Sequence, residues 1–509
     1  MRRFSDNQRI LHNTGMLYLR MLLALLVGLY TSRIVLDVLG VNDFGTYHVV
    51  VGFVALLGFM QGAVTSAAQR YFAFDLGQSN GSNLRGLFNT SLRVHFLLAV
   101  CVVLLAETAG YWFVTSQLSI PSDRLQAALV AYHLAVASFV VGIMTVPLTA
   151  MLMAHERMGL FALMSMVDVL LKLAAVLLLP WLAWDKLSAY AALLLSVSLL
   201  TFSGFLLINR RVFPVIRLQW GSDGAGFRDM FGFIAWNTWG NLAYAMSEHG
   251  NNILLNIFFG PAFNAGRSVA SQANGALNQL TTNVQAALNP QIVKLYASGE
   301  HQHMHTLVQR ASKYNFLLLL VLAMPALFYT QQLLQIWLVT PPESAAVFLQ
   351  LTLVVSLIDS ISRPLMTAAQ ATGKIRLYQT VVGGILLLNL PAAYIMIKIW
   401  HRPELVIVSG ILTALAALAA RLLILKRLTG LAVRNYLITV LVRGAVAGGM
   451  AMALNSLMVL HDASGLNLLL GLIVNSMVTL LVVYFVGLNA SEKRYVLCVL
   501  ANVYKKFAK

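Results

Sequence analysis

Apolar stretches of roughly twenty residues or more return along almost the whole chain, separated by gaps too short to hold a folded domain. A helix of about 20 apolar residues crosses the hydrocarbon core of a bilayer. Lipid offers the backbone no hydrogen-bond partner, so only helices and closed barrels can span it, and runs this long and continuous favour helices. The composition agrees, with 59% hydrophobic and 10% charged residues in a chain of 509. An all-α polytopic membrane protein is expected. Fourteen transmembrane helices are expected near 14–39, 44–69, 88–114, 126–153, 160–182, 187–209, 230–259, 262–292, 314–338, 345–372, 376–399, 404–425, 436–459 and 466–488.

A net charge of +17 raises the question of nucleic acid. The basic residues lie in short gaps between apolar runs rather than on one face or tail, so they read as positive-inside topology and not as a nucleic-acid surface. Lys and Arg crowd into the N-terminal tail, the even-numbered gaps and the C-terminal tail. Only Arg124, Lys186, Lys398 and Arg402 lie in or beside the odd-numbered ones. Both termini are therefore expected in the cytoplasm. Arg2, Arg3 and Arg9 precede the first apolar run, but no small-residue cleavage site follows it, so that run is expected to stay as the first span. Cys101 and Cys498 are the two cysteines and imply no disulfide framework.

Six spans precede the longest basic gap and six follow it, ahead of a final pair. The expected organisation is an N-terminal lobe at 1–209, a basic cytoplasmic linker at 210–229, a C-terminal lobe at 230–427, and two further helices with a basic tail at 428–509. Laying residues 36–93 over 256–313 pairs Gly40 with Gly260 but gives identity barely above chance. The repeat of spans and connector lengths is better evidence, and since six is even, two lobes of like orientation are expected, related by an axis along the membrane normal.

The stretch from Trp236 to Asn289 is apolar overall but carries side chains that lipid would not accept. At 100° per residue, Asn237, Asn241, Tyr244, Glu248 and Asn252 fall within an arc of about 80° on one helix. Arg267, Asn274, Asn278, Gln285 and Asn289 share a face of the next. Such stripes belong in an interior, water-filled space, the candidate working site. Arg33, deep in the first span, and Arg267 are candidates to bind an anion, because a guanidinium matches phosphate oxygens at two points and stays charged. Arg20 is a third candidate, and Asn274, Asn278 and Gln285 add neutral polar contacts. Arg33 could instead pair with Asp37. Glu248 is a candidate to couple transport to a cation, Na+ or H+, with Asn241 and Asn252 as oxygen ligands; the alternative is an interhelical hydrogen-bond network.

The pairs Asp168/Lys172 and Asp359/Arg363 read as self-neutralising i,i+4 partners. His301, His303 and His305 alternate faces, so no metal site is expected. Pro147, Pro325, Pro364 and Pro391 fall inside spans and can kink them. No Walker loop, metal-binding His/Glu set or Gly-x-Ser-x-Gly motif occurs, and an enzyme is not expected. A membrane glycan polymerase or ligase is the alternative of another class, but the expected outer gaps, about 2–12 residues, are short for it.

YTSRIVLDVLGVNDFGTYHVV at 30–50, AAQRYFAFDLGQSN at 67–80 and AHERMGLFALMSMVDVLLKL at 154–173 resemble the Wzx-type polysaccharide (O-antigen) flippases of the multidrug/oligosaccharidyl-lipid/polysaccharide (MOP) exporter superfamily. The resemblance implies two lobes around a central cavity in the bacterial inner membrane, opening alternately to each side. It also implies a polyprenyl-diphosphate-linked oligosaccharide as cargo, membrane lipid as surroundings, polysaccharide-assembly proteins as partners, and no resident cofactor. Cationic cavity residues meet the anionic headgroup in that family, which singles out Arg33 and, more loosely, Arg20 and Arg267. The final helix pair departs from the twelve-span form common there and resembles the fourteen-span lipid II flippases. Lipid II flipping and cation-coupled drug export thus stand as alternatives.

Overall fold

The computed structural model describes residues 6–58, 61, 68, 72, 84–155, 157–213, 242, 245–372, 375–458 and 465–494. Among these the chain is helical, with no strand. Eleven helices of the described residues are long and apolar enough to cross a membrane. We name the elements α1 (Asp6–Leu56), α2 (Leu84–Ser116), α3 (Leu125–Ala154), α4 (Met158–Trp181), α5 (Lys186–Val212), α6 (residues 245–259) and α7 (Pro261–Ala297). They continue with α8 (His301–Phe328), α9 (Thr330–Trp337), α10 (Ala345–Ala371), α11 (Arg376–Trp400), α12 (Leu405–Thr429), α13 (Val433–Leu457) and α14 (Gly465–Gly487).

Two of the expected spans run together in α1, broken only at Gly40, whose φ of 72° and ψ of 170° interrupt the helix. That conformation is open to glycine and strained for a residue with a Cβ. Gly260, at φ 84°, makes the corresponding break between α6 and α7, and Pro261 then opens α7 at the position where its missing N–H costs nothing. Residues 59–60, 62–67 and 230–241, parts of two expected spans, lie outside the described residues. The ninth expected span, 314–338, differs most. Its helix begins earlier, at His301, because Lys313 is 4% exposed and held by Glu492, so the charge does not end the run. Beyond Tyr329 a separate short helix, α9, completes the stretch. Pro391 acts as expected: α11 breaks at Leu388, next to the Leu387 carbonyl that the proline ring would meet in a continuous helix. Pro147, Pro325 and Pro364 lie inside α3, α8 and α10.

The chain divides into two compact units. Unit 1 comprises Met1–Ser268 with Trp337–Pro342 and Leu390–Val406; unit 2 comprises Val269–Ile336, Glu343–Asn389 and Ile407–Lys509. In unit 1, α3 packs against α2 and α5, and α1 against α4. Gly45 presses directly on the backbone at Pro261, where a Cβ would overlap the Pro261 carbonyl. In unit 2, α8 is the central helix, packed against α10, α13 and α14.

Lipid tails are as apolar as leucine, so burial from water does not drive these contacts; close packing and interhelical hydrogen bonds do. Small residues let the helices approach, as at Ala128, Ala131, Ala150, Ala447 and Ala451, all fully buried. At the π-helical turn Ala106–Gly110 in α2, the Ala106 carbonyl accepts both the Tyr111 N–H and, at 2.7 Å, the hydroxyl of buried Tyr132. The outward faces carry leucines and aromatics, among them Trp181 and Trp184 at the α4/α5 turn, as expected at a membrane–water boundary.

Candidate functional site

In unit 1, Arg33 and Asp37 are both exposed on one face of α1, one turn apart. Arg20 lies in the same helix, with its side chain outside the described residues. Asn237, Asn241 and Tyr244 likewise lie outside the described residues. Glu248 and Arg267, read from the sequence as separate sites, are brought together. One Arg267 Nη2 donates to the Glu248 carbonyl at 3.3 Å and stands 3.6 Å from its carboxylate. The Arg267 side chain is 10% exposed and that of Glu248 44%, so the acid is the accessible member. Asn252 follows one turn beyond Glu248, and Asn264 Nδ2 donates to its carbonyl at 2.6 Å. The side-chain oxygens of Asn252 and Asn264 are buried with no hydrogen-bond partner among the described residues, leaving two neutral oxygens near a carboxylate.

Unit 1 also holds an open cavity of about 430 Å3 between α1, α3, α4 and α5. Asp168 and Lys172 lie on its wall at 2.7 Å from one another, and Thr201 of α5 donates to the second Asp168 oxygen at 3.1 Å. Thr145, Thr149 and Ser165 add hydroxyls. Sequence reasoning treated Asp168/Lys172 as a pair closed on its own helix. The missed signal was the set of hydroxyl residues at matching depth on α3 and α5.

At the end of unit 1 where α3 and α5 begin, Arg124 joins three elements. It donates through Nε to Asp43 at 2.9 Å, makes a second bond to the same carboxylate, and meets Asp185 at 2.7 Å. Asp185 in turn caps α5, accepting the Ser188 N–H at 3.0 Å. The Asp43 carboxylate, with Asp185, holds the guanidinium above its ordinary range against a partial desolvation cost. Burial pushes the Asp185 carboxyl up, but the Ser188 N–H and Arg124 outweigh it, leaving a net downward shift.

In unit 2 the polar stripe of α7 faces α10 and α8. Asn278 and Gln285 are 8% and 5% exposed. Asn278 Nδ2 donates to Asn274 Oδ1 at 2.9 Å and to Ser356 Oγ at 3.0 Å, while Ser356 Oγ donates to Asn274 Oδ1 at 2.8 Å. Further along, Gln285 Nε2 donates to Asn289 at 2.6 Å, Asn315 donates to Gln285 Oε1 at 2.7 Å, and Thr367 donates to Asn289 at 2.8 Å. The amides read as lining a wet space thus spend much of their capacity joining α7 to α8 and α10. Arg363, assigned from sequence to Asp359, also reaches across to α7. The histidines in the first turns of α8 are occupied: His303 pairs with Glu300 just before the helix, and His305 meets Thr429 at the end of α12.

Eleven helices of the described residues, long and apolar enough to cross a membrane, with arginines buried among amides and hydroxyls within the units, describe a multi-pass membrane protein. Its fold is that of the MOP superfamily transporters. The chain is similar to an inward closed lipid II flippase MurJ, at 12% identity over 91% of this chain and 97% of that one, with a TM-score of 0.70. It is also similar to an inward-facing multidrug resistance MATE family transporter of the MOP superfamily, at 15% identity over 80% and 95% of the two chains and a TM-score of 0.58. The Vibrio cholerae MATE transporter VcmN is 17% identical over 82% and 97%, with a TM-score of 0.55. These neighbours are transporters and flippases, not enzymes. No family model and no curated protein sequence matches the chain.

Proposed function

We propose that the protein flips a polyprenyl-diphosphate-linked oligosaccharide, a repeat unit of O-antigen or another surface polysaccharide, across the bacterial inner membrane by alternating access. The observation that carries this reading is Arg267, a permanently charged side chain 8% exposed in α7 and framed by polar groups rather than by an aromatic cage. A charge buried among the helices of a membrane protein marks a path for something polar. A diphosphate and several sugars need replacements for their water, which guanidinium and amide groups supply. Arg33 and Arg267, with Arg20, take the diphosphate, and Asn274, Asn278 and Gln285 serve the polar route. Lobes 1–209 and 230–427 are the moving parts, and both termini are cytoplasmic.

Glu248 is the coupling residue, with Asn241 and Asn252 as oxygen ligands for Na+ or H+. Arg267 stands 3.6 Å from its carboxylate, so a cation arriving on Glu248 frees the guanidinium for the cargo. Cation and anion then drive one another's binding through a shared pair.

A second reading, lipid II flipping, is supported by the likeness to the lipid II flippase, which extends over 97% of that chain, and agrees with the fourteen spans expected from the sequence. The experiment is flipping in proteoliposomes with a defined lipid-linked oligosaccharide in one arm and lipid II in the other. Transport of the first alone is expected. Arg33→Ala should abolish it and Arg33→Lys weaken it, because the ammonium loses the planar two-point fit. Glu248→Gln should keep headgroup binding but lose dependence on an imposed Na+ or H+ gradient. Transport of neither cargo by the wild-type protein would refute both readings.

A further inference from the structure

The Arg363 cluster in unit 2 has a feature that its role in joining helices does not use. The guanidinium donates through Nη1 to Thr282 Oγ1 at 2.9 Å and Thr281 Oγ1 at 3.4 Å, and through Nη2 to Asn278 Oδ1 at 3.1 Å. All three acceptors are neutral. The two threonine hydroxyls spend their protons on the Asn278 carbonyl, at 2.8 and 2.9 Å, so only their lone pairs are turned to the arginine. Asn278 is itself fixed by Asn274 and Ser356. The fork is therefore held in one orientation by dipoles, and its charge is not cancelled by the groups that hold it.

Arg363 is half-buried and Thr282 exposed, so the cluster opens to its surroundings within a spanning helix. Lipid would not tolerate an open guanidinium there, which makes the opening a water-filled one. A planar, always-charged fork with N–H donors to spare, pre-oriented by neutral acceptors, fits two oxygens of one anion.

We infer that Arg363, framed by Asn278, Thr281 and Thr282, is a binding site for an oxyanion of the transported headgroup. The inference rests on the flippase reading for the cargo and on this geometry for the site. The shared chemistry is a two-oxygen anionic face, supplied either by the lipid diphosphate or by the carboxylate of an acidic sugar.

The test is titration calorimetry on the full-length protein in nanodiscs, with inorganic pyrophosphate and glucuronate as separate probes. Arg363→Gln removes the charge. Asn278→Asp leaves Arg363 in place but neutralises it with a carboxylate of the same shape. Both variants should weaken binding by about tenfold or more, the scale of one charge-assisted hydrogen bond. Loss confined to pyrophosphate assigns the diphosphate, and loss confined to glucuronate assigns the acidic sugar. A purely structural Arg363 predicts the opposite for Asn278→Asp: whatever the change in melting temperature from the lost Nδ2 donations to Asn274, binding of both probes is undiminished. That result overturns the inference, as does a wild-type protein that binds neither probe. Where Arg363→Gln fails to fold, Asn278→Asp decides. Wild-type protein that flips no lipid-linked cargo while the variants still lose anion binding refutes the flippase reading and leaves the site standing.

Discussion

Lys313 of α8 and Glu492, in the helical segment 490–494 that follows α14, form an ion pair whose side chains are 4% and 7% exposed. The ammonium reaches both carboxylate oxygens, at 2.6 and 2.5 Å, and the Asn489 N–H donates to one of them at 2.8 Å. Removing one partner strands a buried charge. Lys313→Met or Glu492→Leu should each cost about 3–5 kcal/mol, most of it the desolvation of the group left behind. Removing both charges together, as Lys313→Met with Glu492→Leu, should cost far less, because no charge remains to be buried. The cycle should therefore give a coupling energy of about 3 kcal/mol or more. Equilibrium unfolding in mixed micelles, followed by tryptophan fluorescence, measures all four corners. The pair also has a pH signature. Burial pushes the Glu492 carboxyl up, but Lys313 and the Asn489 N–H outweigh it and leave it below its ordinary 4.5. A depressed carboxyl contributes stability that is complete above 4.5 and lost as acid protonates it. The wild-type protein should lose stability on acidification through that range, and the double variant should lose less. Additive single effects, or an acid response equal in wild type and double variant, would refute the reasoning.

Gly45→Val should prevent accumulation of folded protein, since its side chain would overlap the Pro261 backbone, whereas Gly52→Ala, with a Cβ 3.8 Å from the Asn252 amide, should be tolerated; membrane-extracted yield and melting temperature check both. Arg124→Met should destabilise by about 1–2 kcal/mol in low salt and less in high salt, because its partners are partly exposed; unfolding at two ionic strengths measures the difference. A cysteine at Ser122 should react with an impermeant thiol reagent applied outside and one at Ser298 should not, with the reverse pattern overturning the topology.

Span positions were legible because the apolar period and length follow directly from the bilayer. Gly40 and Gly260, paired by a sparse internal alignment, both prove to be left-handed breaks, so even weak identity carried meaning where only one residue type fits. Boundaries were less legible where a charge was neutralised from far along the chain, as Lys313 is by Glu492. The site followed the same rule. The α7 stripe was visible because it is local to one helix, but its partners Ser356, Asn315 and Thr367 come from α8 and α10 and leave no local signature. The spacing of Arg363 from Asp359 was visible within one helix, but its hydrogen bonds to Thr282 and Asn278 on α7 leave no such local signature. The Glu248–Arg267 approach spans a helix break, and periodicity within one helix says nothing across such a break.

Arg124 meets Asp43 on one side and Asp185 on the other, and those three residues leave the ribosome in order, separated by long membrane-spanning stretches. When α3 enters the bilayer, Asp43 is already there and Asp185 has not been made. The first half of the clasp can thus close during synthesis and the second only after α4 is inserted and α5 begins. An arginine with a single partner marks a half-built unit, and one with two marks a unit in which α1, α3 and α5 have all arrived. In a chain that ends before Asp185, Asp43 alone is left to hold Arg124.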